Sequence, residues 1–156
     1  MVKDEADKPG VIAPPPFIYL FFLILGLAVD FAWPLAVLPA VAQYAAGVAL
    51  IAPAVAILAA TVRRFRRAET SFDVRKPATA LLTDGAFRFS RNPIYVAMSL
   101  AYAGLAVAID SPWVLAFLAP ALVVMRHGVI GREERYLERK FGDEYRRYKA
   151  TVRRWI

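Results

Sequence analysis

Two polar clusters lie among the apolar runs of this sequence and contain the residues that could do chemistry. The first is Thr79–Tyr95, "TALLTDGAFRFSRNPIY", in which aromatic residues lie among turn-forming ones. Asp84-Gly85 is a turn signal, and Pro93 disfavours helix at Asn92 while it opens the next helix. We therefore predict that Asn92 is a helix N-cap, beside free backbone N–H and C=O groups and flat aromatic faces.

The second cluster is the acidic pair Glu133-Glu134, directly after the last apolar run. Glu134 is in register with the apolar residues three and four positions away, so a helix would present it on its apolar face. A carboxylate there costs free energy unless a cation pairs with it. Arg126, Arg132 or a basic loop residue could be that partner, and the acids could also complement a helix N-terminus.

Together the two clusters predict one pocket with aromatic faces, exposed backbone groups and uncompensated carboxylates. A cationic ligand that carries adenine would suit this pocket, because carboxylates hold an ammonium, backbone groups read adenine edges and aromatic faces favour a cation. The alternative is a structural role, in which the first cluster is an aromatic interface loop with a helix cap and the acids pair within the protein.

The residue inventory excludes several kinds of site. The 156-residue chain has no cysteine, which rules out thiolate metal sites, and its one histidine, His127, rules out histidine-rich zinc sites. The sequence has no P-loop and no Gly-x-Gly-x-x-Gly, His-Glu-x-x-His or Gly-x-Ser-x-Gly motif. We therefore expect no metal and no hydrolytic triad.

Apolar helices are the elements that would position both clusters. Hydrophobic residues make up 59% of the chain, above the usual share in soluble domains. They are concentrated in four runs, residues 17–38, 41–62, 93–109 and 112–130, each near the roughly 20 residues that a membrane-spanning helix needs. We predict an all-α, polytopic membrane protein with about four transmembrane helices, in a single domain over residues 1–156.

The distribution of basic residues predicts the topology. Of the 20 Lys and Arg residues, only Lys3 and Lys8 precede Arg63. The "RRFRR" segment, Arg63–Arg67, follows the second run directly, whereas the short turn Asp110–Pro112 has no positive charge. The positive-inside rule then predicts that both termini and both polar clusters are cytoplasmic. Because the basic residues abut apolar spans, we expect membrane lipids as partners and no nucleic acid.

The C-terminal segment, residues 131–152, has a different pattern. Apolar residues recur every three or four positions on an otherwise charged helix. Gly142 followed by Asp143 predicts a helix stop and a new N-cap. We therefore expect two short amphipathic helices that lie on the membrane surface or dock on the cytoplasmic face of the protein.

Both clusters resemble motifs of one known superfamily. Gly85-x-Phe87-x-x-x-Arg91-Asn92-Pro93-x-Tyr95 resembles the Gly-x-Tyr-x-x-x-Arg-His-Pro-x-Tyr signature of the isoprenylcysteine carboxyl methyltransferase and phospholipid methyltransferase superfamily. The tail "EERYLERKFGDEYRRYKATVRRWI" resembles the closing block of that superfamily. The resemblance implies an integral-membrane, S-adenosylmethionine-dependent methyltransferase. Its acceptor would be lipophilic, either like an isoprenylcysteine carboxylate or like a phospholipid, and would enter from the bilayer.

The resemblance also implies roles for individual residues. The cofactor would contact the backbone of Thr79, Ala80, Leu81 and Leu82. Its adenosine and methionine parts would contact Phe87, Asn92, Pro93, Ile94 and Tyr95. Glu133 and Glu134 would hold the amino acid end or the ribose, and either could accept a proton from an amine acceptor. Arg126 and Arg132 are the candidates for orienting the acceptor.

Two other functions remain possible at this point. Sterol and steroid reductases have a similar helical membrane domain and a related C-terminal block but use NADPH, and the arginine-rich tail would suit its phosphates. The acidic pair favours the cationic cofactor instead. The second alternative is a non-catalytic membrane scaffold or lipid-binding module, in which the motifs serve packing and capping.

Overall fold

The computed structural model describes residues 8–70, 73 and 76–156, and all regular structure in these residues is helical. The helices are α1 (Pro15–Ala32), α2 (Ala40–Arg67), α3 (Pro93–Ala108), α4 (Pro112–Val124) and α5 (Gly131–Thr151). A 3₁₀ turn covers Gly85–Arg88, and a π-helical segment, Met125–Ile130, joins α4 to α5. The prediction of an all-α fold is confirmed.

The helices also confirm a polytopic membrane protein. Three are long and apolar enough to cross a membrane: Pro15–Ala32, Ala40–Arg67 and the continuous helix Pro112–Thr151. Helix α3 is a shorter apolar helix. Four apolar helices therefore correspond to the four predicted runs.

Two predicted boundaries differ from the helices. Helix α1 ends at Ala32 rather than Leu38, because Pro34 disfavours helix at the preceding residue and cannot donate a backbone hydrogen bond. Helix α2 continues beyond the apolar run to Arg67. Its last turn contains several arginines, whose charge favours the C-terminal end of the helix dipole.

Small residues set the packing of the four helices. Helix α2 packs along α3, and α1 packs along α4. A Cβ atom added to Gly47 of α2 would lie 2.6 Å from the Cβ atom of Ala108 in α3. One added to Gly26 of α1 would lie 2.7 Å from the Cα atom of Val114 in α4. Such close contacts need glycine and are typical of helices that associate in membranes.

The turn between α3 and α4 is fixed by three polar side chains. Ser111 caps α4, with its Oγ accepting from the backbone N–H of Val114 at 3.2 Å, and donates to Asp30 of α1 at 2.7 Å. The Asp110 carboxylate accepts from the backbone N–H of Val37 at 2.9 Å. These bonds join the ends of α1, α3 and α4, which leaves the opposite end of the bundle for the polar clusters.

Helix α5 consists of two segments that meet at Gly142. This residue has φ 54° and ψ −123°, a conformation that favours glycine, so the predicted helix stop is confirmed. The Asp143 carboxylate, the predicted cap, accepts from the Arg146 side chain, with Nε at 3.1 Å. The second segment folds back, and Tyr145 and Tyr148 pack in a buried cluster with residues that precede α3. The tail therefore docks on the protein.

Candidate functional site

A cavity of about 530 Å³ lies between the first turn of α1, the end of α2, the beginning of α3 and helix α5. Its volume is in the range of small-molecule sites, roughly 300–1,000 Å³. Every residue predicted to contact a cofactor lines it except Thr79, namely Ala80, Leu81, Leu82, Phe87, Asn92, Pro93, Ile94, Tyr95, Glu133 and Glu134. Thr79 instead bonds the segment that follows α2, with its N–H donating to Thr70 Oγ1 at 3.1 Å. The fold thus brings the two clusters together.

Glu133 faces this cavity with a neutral partner. The Tyr95 hydroxyl donates to both carboxylate oxygens, at 2.8 and 2.9 Å, and no lysine or arginine among the described residues forms an ion pair with Glu133. The residue lies in the first turn of α5, beyond the apolar run. Burial, opposed by the Tyr95 hydrogen bond and assisted by the charge of Glu134, raises the pKa of Glu133 to about 7. Glu133 is therefore an uncompensated carboxylate that titrates near neutral pH.

Glu134 has a different environment, because two arginines share its charge. Its carboxylate is 3.1 Å from Arg91 Nη2 and accepts from Arg154 Nε at 2.9 Å and Nη2 at 2.6 Å. The expectation that both acids are uncompensated is therefore wrong for Glu134, since a charge with only 8% of its side chain exposed is stable only when paired. Arg91 is a basic loop residue and therefore one of the expected partners, whereas Arg154 is not.

Arg91 is incompletely satisfied. Its side chain is 9% exposed and lines the cavity. Nη2 faces Glu134, but Nε and Nη1 are buried and have no hydrogen-bond partner in the described part of the chain. The sequence reasoning named Arg91 only as part of a motif and gave it no role. Unpartnered buried donors are rare in proteins, so these atoms are available to a ligand.

Aromatic side chains form one wall of the cavity. Phe65 of α2 stands edge-on to Phe87, with ring centroids 5.7 Å apart. The Tyr148 hydroxyl donates to the Phe87 carbonyl oxygen at 2.7 Å. Tyr145 is almost fully buried. Burial and the charge of Glu134 raise its pKa to about 12, against the opposing effect of the charge of Arg91 and of a hydrogen bond with the Arg91 side chain. Sequence reasoning assigned no site role to Phe65, Tyr145 or Tyr148, although both tyrosines lie on the apolar stripe of the tail.

Asn92 occupies the predicted N-cap position, but its side chain does not cap α3. Its Nδ2 donates to the backbone carbonyl oxygen of Arg154 at 2.8 Å. The neighbouring Arg91 N–H donates to the Arg153 carbonyl at 3.0 Å. The prediction of a side-chain cap is wrong, because the C-terminal segment passes beside the start of α3 and offers its carbonyl groups to this side chain.

The two arginines predicted to orient the acceptor lie away from the cavity. Arg126 lines a second cavity of about 460 Å³ between α3 and α4, together with Trp155 and Ile156. Arg132 is exposed and donates to the Gly10 carbonyl at 2.8 Å. Neither lines the first cavity, so their role remains a prediction.

Comparisons with known proteins identify the family of the chain. A family model described as phospholipid methyltransferase matches residues 42–144, more than half of the chain. An uncharacterized protein of Haemophilus influenzae is 63% identical over 35 residues, which are 22% of this chain and 56% of that protein. The match thus spans about half the length of the relative. No solved structure matches the chain.

Proposed function

The chain belongs to the phospholipid methyltransferase family, and from this premise we propose that it transfers a methyl group from S-adenosylmethionine to a lipid-like acceptor in the membrane. The observation that carries the proposal is Glu133. Its carboxylate lines an aromatic-walled cavity and has a tyrosine hydroxyl but no cation as partner. Such a group favours a positively charged ligand.

The cavity residues fit S-adenosylmethionine. The Glu133 carboxylate suits the ammonium or sulfonium charge, and the ring of Phe87 offers a face to adenine. The segment from Ala80 to Leu82 runs along the same cavity and offers backbone groups to the adenine edge. When bound, S-adenosylmethionine supplies an electrophilic methyl group. The task of the protein is then to bind the donor, orient the acceptor and exclude water.

The acidity of Glu133 supports an amine acceptor of the phospholipid type. An amine is protonated at neutral pH and must lose a proton before it attacks a methyl group. Glu133 has a pKa of about 7, close to the value that suits a general base at neutral pH, and Tyr95 holds its carboxylate in place. An isoprenylcysteine carboxylate, the other predicted acceptor, would need positioning alone.

The apolar lining supports entry of the acceptor from the bilayer. Pro14, Phe17, Ile94 and Met98 line the cavity beside the polar residues. Phe17 is 63% exposed in the first turn of α1, where a lipid chain would cover it. The arginine-rich end of α2 is at the same end of the bundle, which supports a site on the cytoplasmic side under the positive-inside rule.

Binding of the donor tests this proposal. Calorimetry of the full chain in lipid nanodiscs should detect S-adenosylmethionine and not NADPH. Glu133→Gln removes the charge but keeps the shape, and it should weaken binding by about tenfold or more, since hydrogen bonds to charged groups contribute about 1.5–3 kcal/mol. Glu138→Gln is the matched control, because Glu138 pairs with Lys149 and does not line the cavity.

Two results would reject the proposal. Binding of NADPH without binding of S-adenosylmethionine would favour a reductase. Binding of neither cofactor by a folded protein would favour a scaffold or lipid-binding module.

A further inference from the structure

The cavity has a negative and a positive side. Glu133 is a carboxylate with no cationic partner, whereas two arginines share the single charge of Glu134. One positive charge is therefore in excess beside Glu134. Arg154 does not line the cavity, so Arg91 presents the excess charge there. The other charged residues of the lining, Asp73 and Lys76, have opposite signs.

The unpartnered atoms of Arg91 indicate what this positive side would bind. Nε and Nη1 carry three of the five N–H groups of a guanidinium. Both atoms are buried and have no acceptor in the described residues, and a buried donor without an acceptor is destabilising. An anionic oxygen group in the cavity would satisfy them. Arg154 already holds Glu134 through two bonds, so pairing of that acid does not require the whole Arg91 side chain.

Both charges lie near one buried hydroxyl. The oxygen of Tyr145 is close enough to Glu133, Glu134 and Arg91 to be influenced by all three charges. Tyr145 also lines the cavity. An acidic and a basic group around one tyrosine match the two charges of an amino acid, whose ammonium and carboxylate are attached to a single carbon atom.

We propose that Arg91 binds the carboxylate of the amino acid end of the methyl donor while Glu133 faces its ammonium group. This inference rests on the proposed function and adds the anion-binding residue. Arg154 is a positioning residue in this arrangement. It neutralises Glu134 from outside the cavity, which leaves Nε and Nη1 of Arg91 free for the ligand.

The test compares two donors that differ in one group. Decarboxylated S-adenosylmethionine keeps the sulfonium, the adenosine and the amine but has no carboxylate. By calorimetry in nanodiscs, the wild-type protein should bind S-adenosylmethionine about 10- to 100-fold more tightly than the decarboxylated form, the range expected for hydrogen bonds to a charged group. Arg91→Gln should reduce this ratio to within about threefold, because the carboxylate then has no cation to bind.

Two further variants separate binding from folding. Arg154→Gln leaves Arg91 as the only cation beside Glu134, so it should lower the ratio to a value between those of the wild-type protein and Arg91→Gln. Arg91→Lys retains the charge beside Glu134 and loses the planar guanidinium, so it should lower the ratio several-fold even if Arg91→Gln does not fold.

Each outcome has a distinct meaning. Equal binding of both donors by the wild-type protein would overturn this inference and leave the proposed function intact. Binding of neither would overturn both. A preference that survives Arg91→Gln would assign the carboxylate to another residue. Arg91→Gln could instead leave the ratio of the two donor affinities unchanged and make lysophosphatidylethanolamine a weaker competitor of donor binding. In that case Arg91 binds a lipid phosphate and the inference is wrong.

Discussion

The buried ion pairs of Glu134 lead to a quantitative prediction about stability. Glu134→Gln keeps the shape of the side chain but leaves Arg91, which is 9% exposed, without its counter-charge. Breaking a buried ion pair costs about 3–5 kcal/mol. Arg154 is 29% exposed and regains water when Glu134 is replaced, so breaking the Arg154–Glu134 pair adds little to this cost. We therefore expect Glu134→Gln to lower the free energy of unfolding by about 3 kcal/mol, measured by reversible unfolding in mixed detergent micelles without ligand.

The control for this measurement is an exposed ion pair on the same helix. Glu138 Oε2 is 3.2 Å from Lys149 Nζ, and both side chains are about a third exposed or more. Glu138→Gln should therefore change the free energy of unfolding by less than about 1 kcal/mol. If Glu134→Gln changes it equally little, the Glu134 pairs do not stabilise the start of α5, and the reasoning about buried charge is refuted.

Four further results follow from the structure. Since burial raises the pKa of Glu133 to about 7, affinity for the cationic donor should rise about tenfold from pH 6 to pH 8, and calorimetry of Glu133→Gln should show no such rise. The same raised pKa means that the ligand-free fold loses stability as pH rises from the usual glutamate range to about 7. Unfolding measured at each pH for the wild-type protein and for Glu133→Gln should show this loss and its dependence on Glu133. Gly47→Leu should destabilise the fold by about 1–3 kcal/mol because its Cβ atom would lie 2.6 Å from that of Ala108, whereas Ala46→Leu on the exposed neighbouring position should not; equal thermal stabilities of the two variants would contradict this packing. Gly142→Ala, at φ 54°, should cost about 1–3 kcal/mol and weaken donor binding, and an unchanged melting temperature would contradict the strained helix break.

Much of the fold could be predicted because its causes are local. Long apolar runs produced helices, and Gly142 interrupts α5 where the glycine-aspartate pair predicted a stop. Helix α1 ends early because of Pro34, which is also a local signal that the length of the apolar run obscured. All predicted cofactor residues except Thr79 line one cavity, because the hairpin of α3 and α4 returns the chain to the end of the bundle where it began.

The rest of the site depends on contacts between distant parts of the chain. Arg154 pairs with Glu134 from 20 positions away, and the sequence offered several other arginines as partners. Asn92 bonds the carbonyl of Arg154 across 62 positions, so its side chain was unavailable as a cap. The unpartnered atoms of Arg91 are defined by burial, which residue types and spacing do not reveal.

Transfer of a methyl group to lipid tests the central claim most directly. The full chain, reconstituted in phosphatidylethanolamine vesicles, would be incubated with S-adenosylmethionine labelled at the methyl group, and the lipids would be extracted and identified by mass. We predict label in the headgroup amine and a rate at least about 100-fold lower for Glu133→Gln, with Glu138→Gln close to wild type. Absence of label from every lipid, or transfer that is unaffected by Glu133→Gln, would contradict this account.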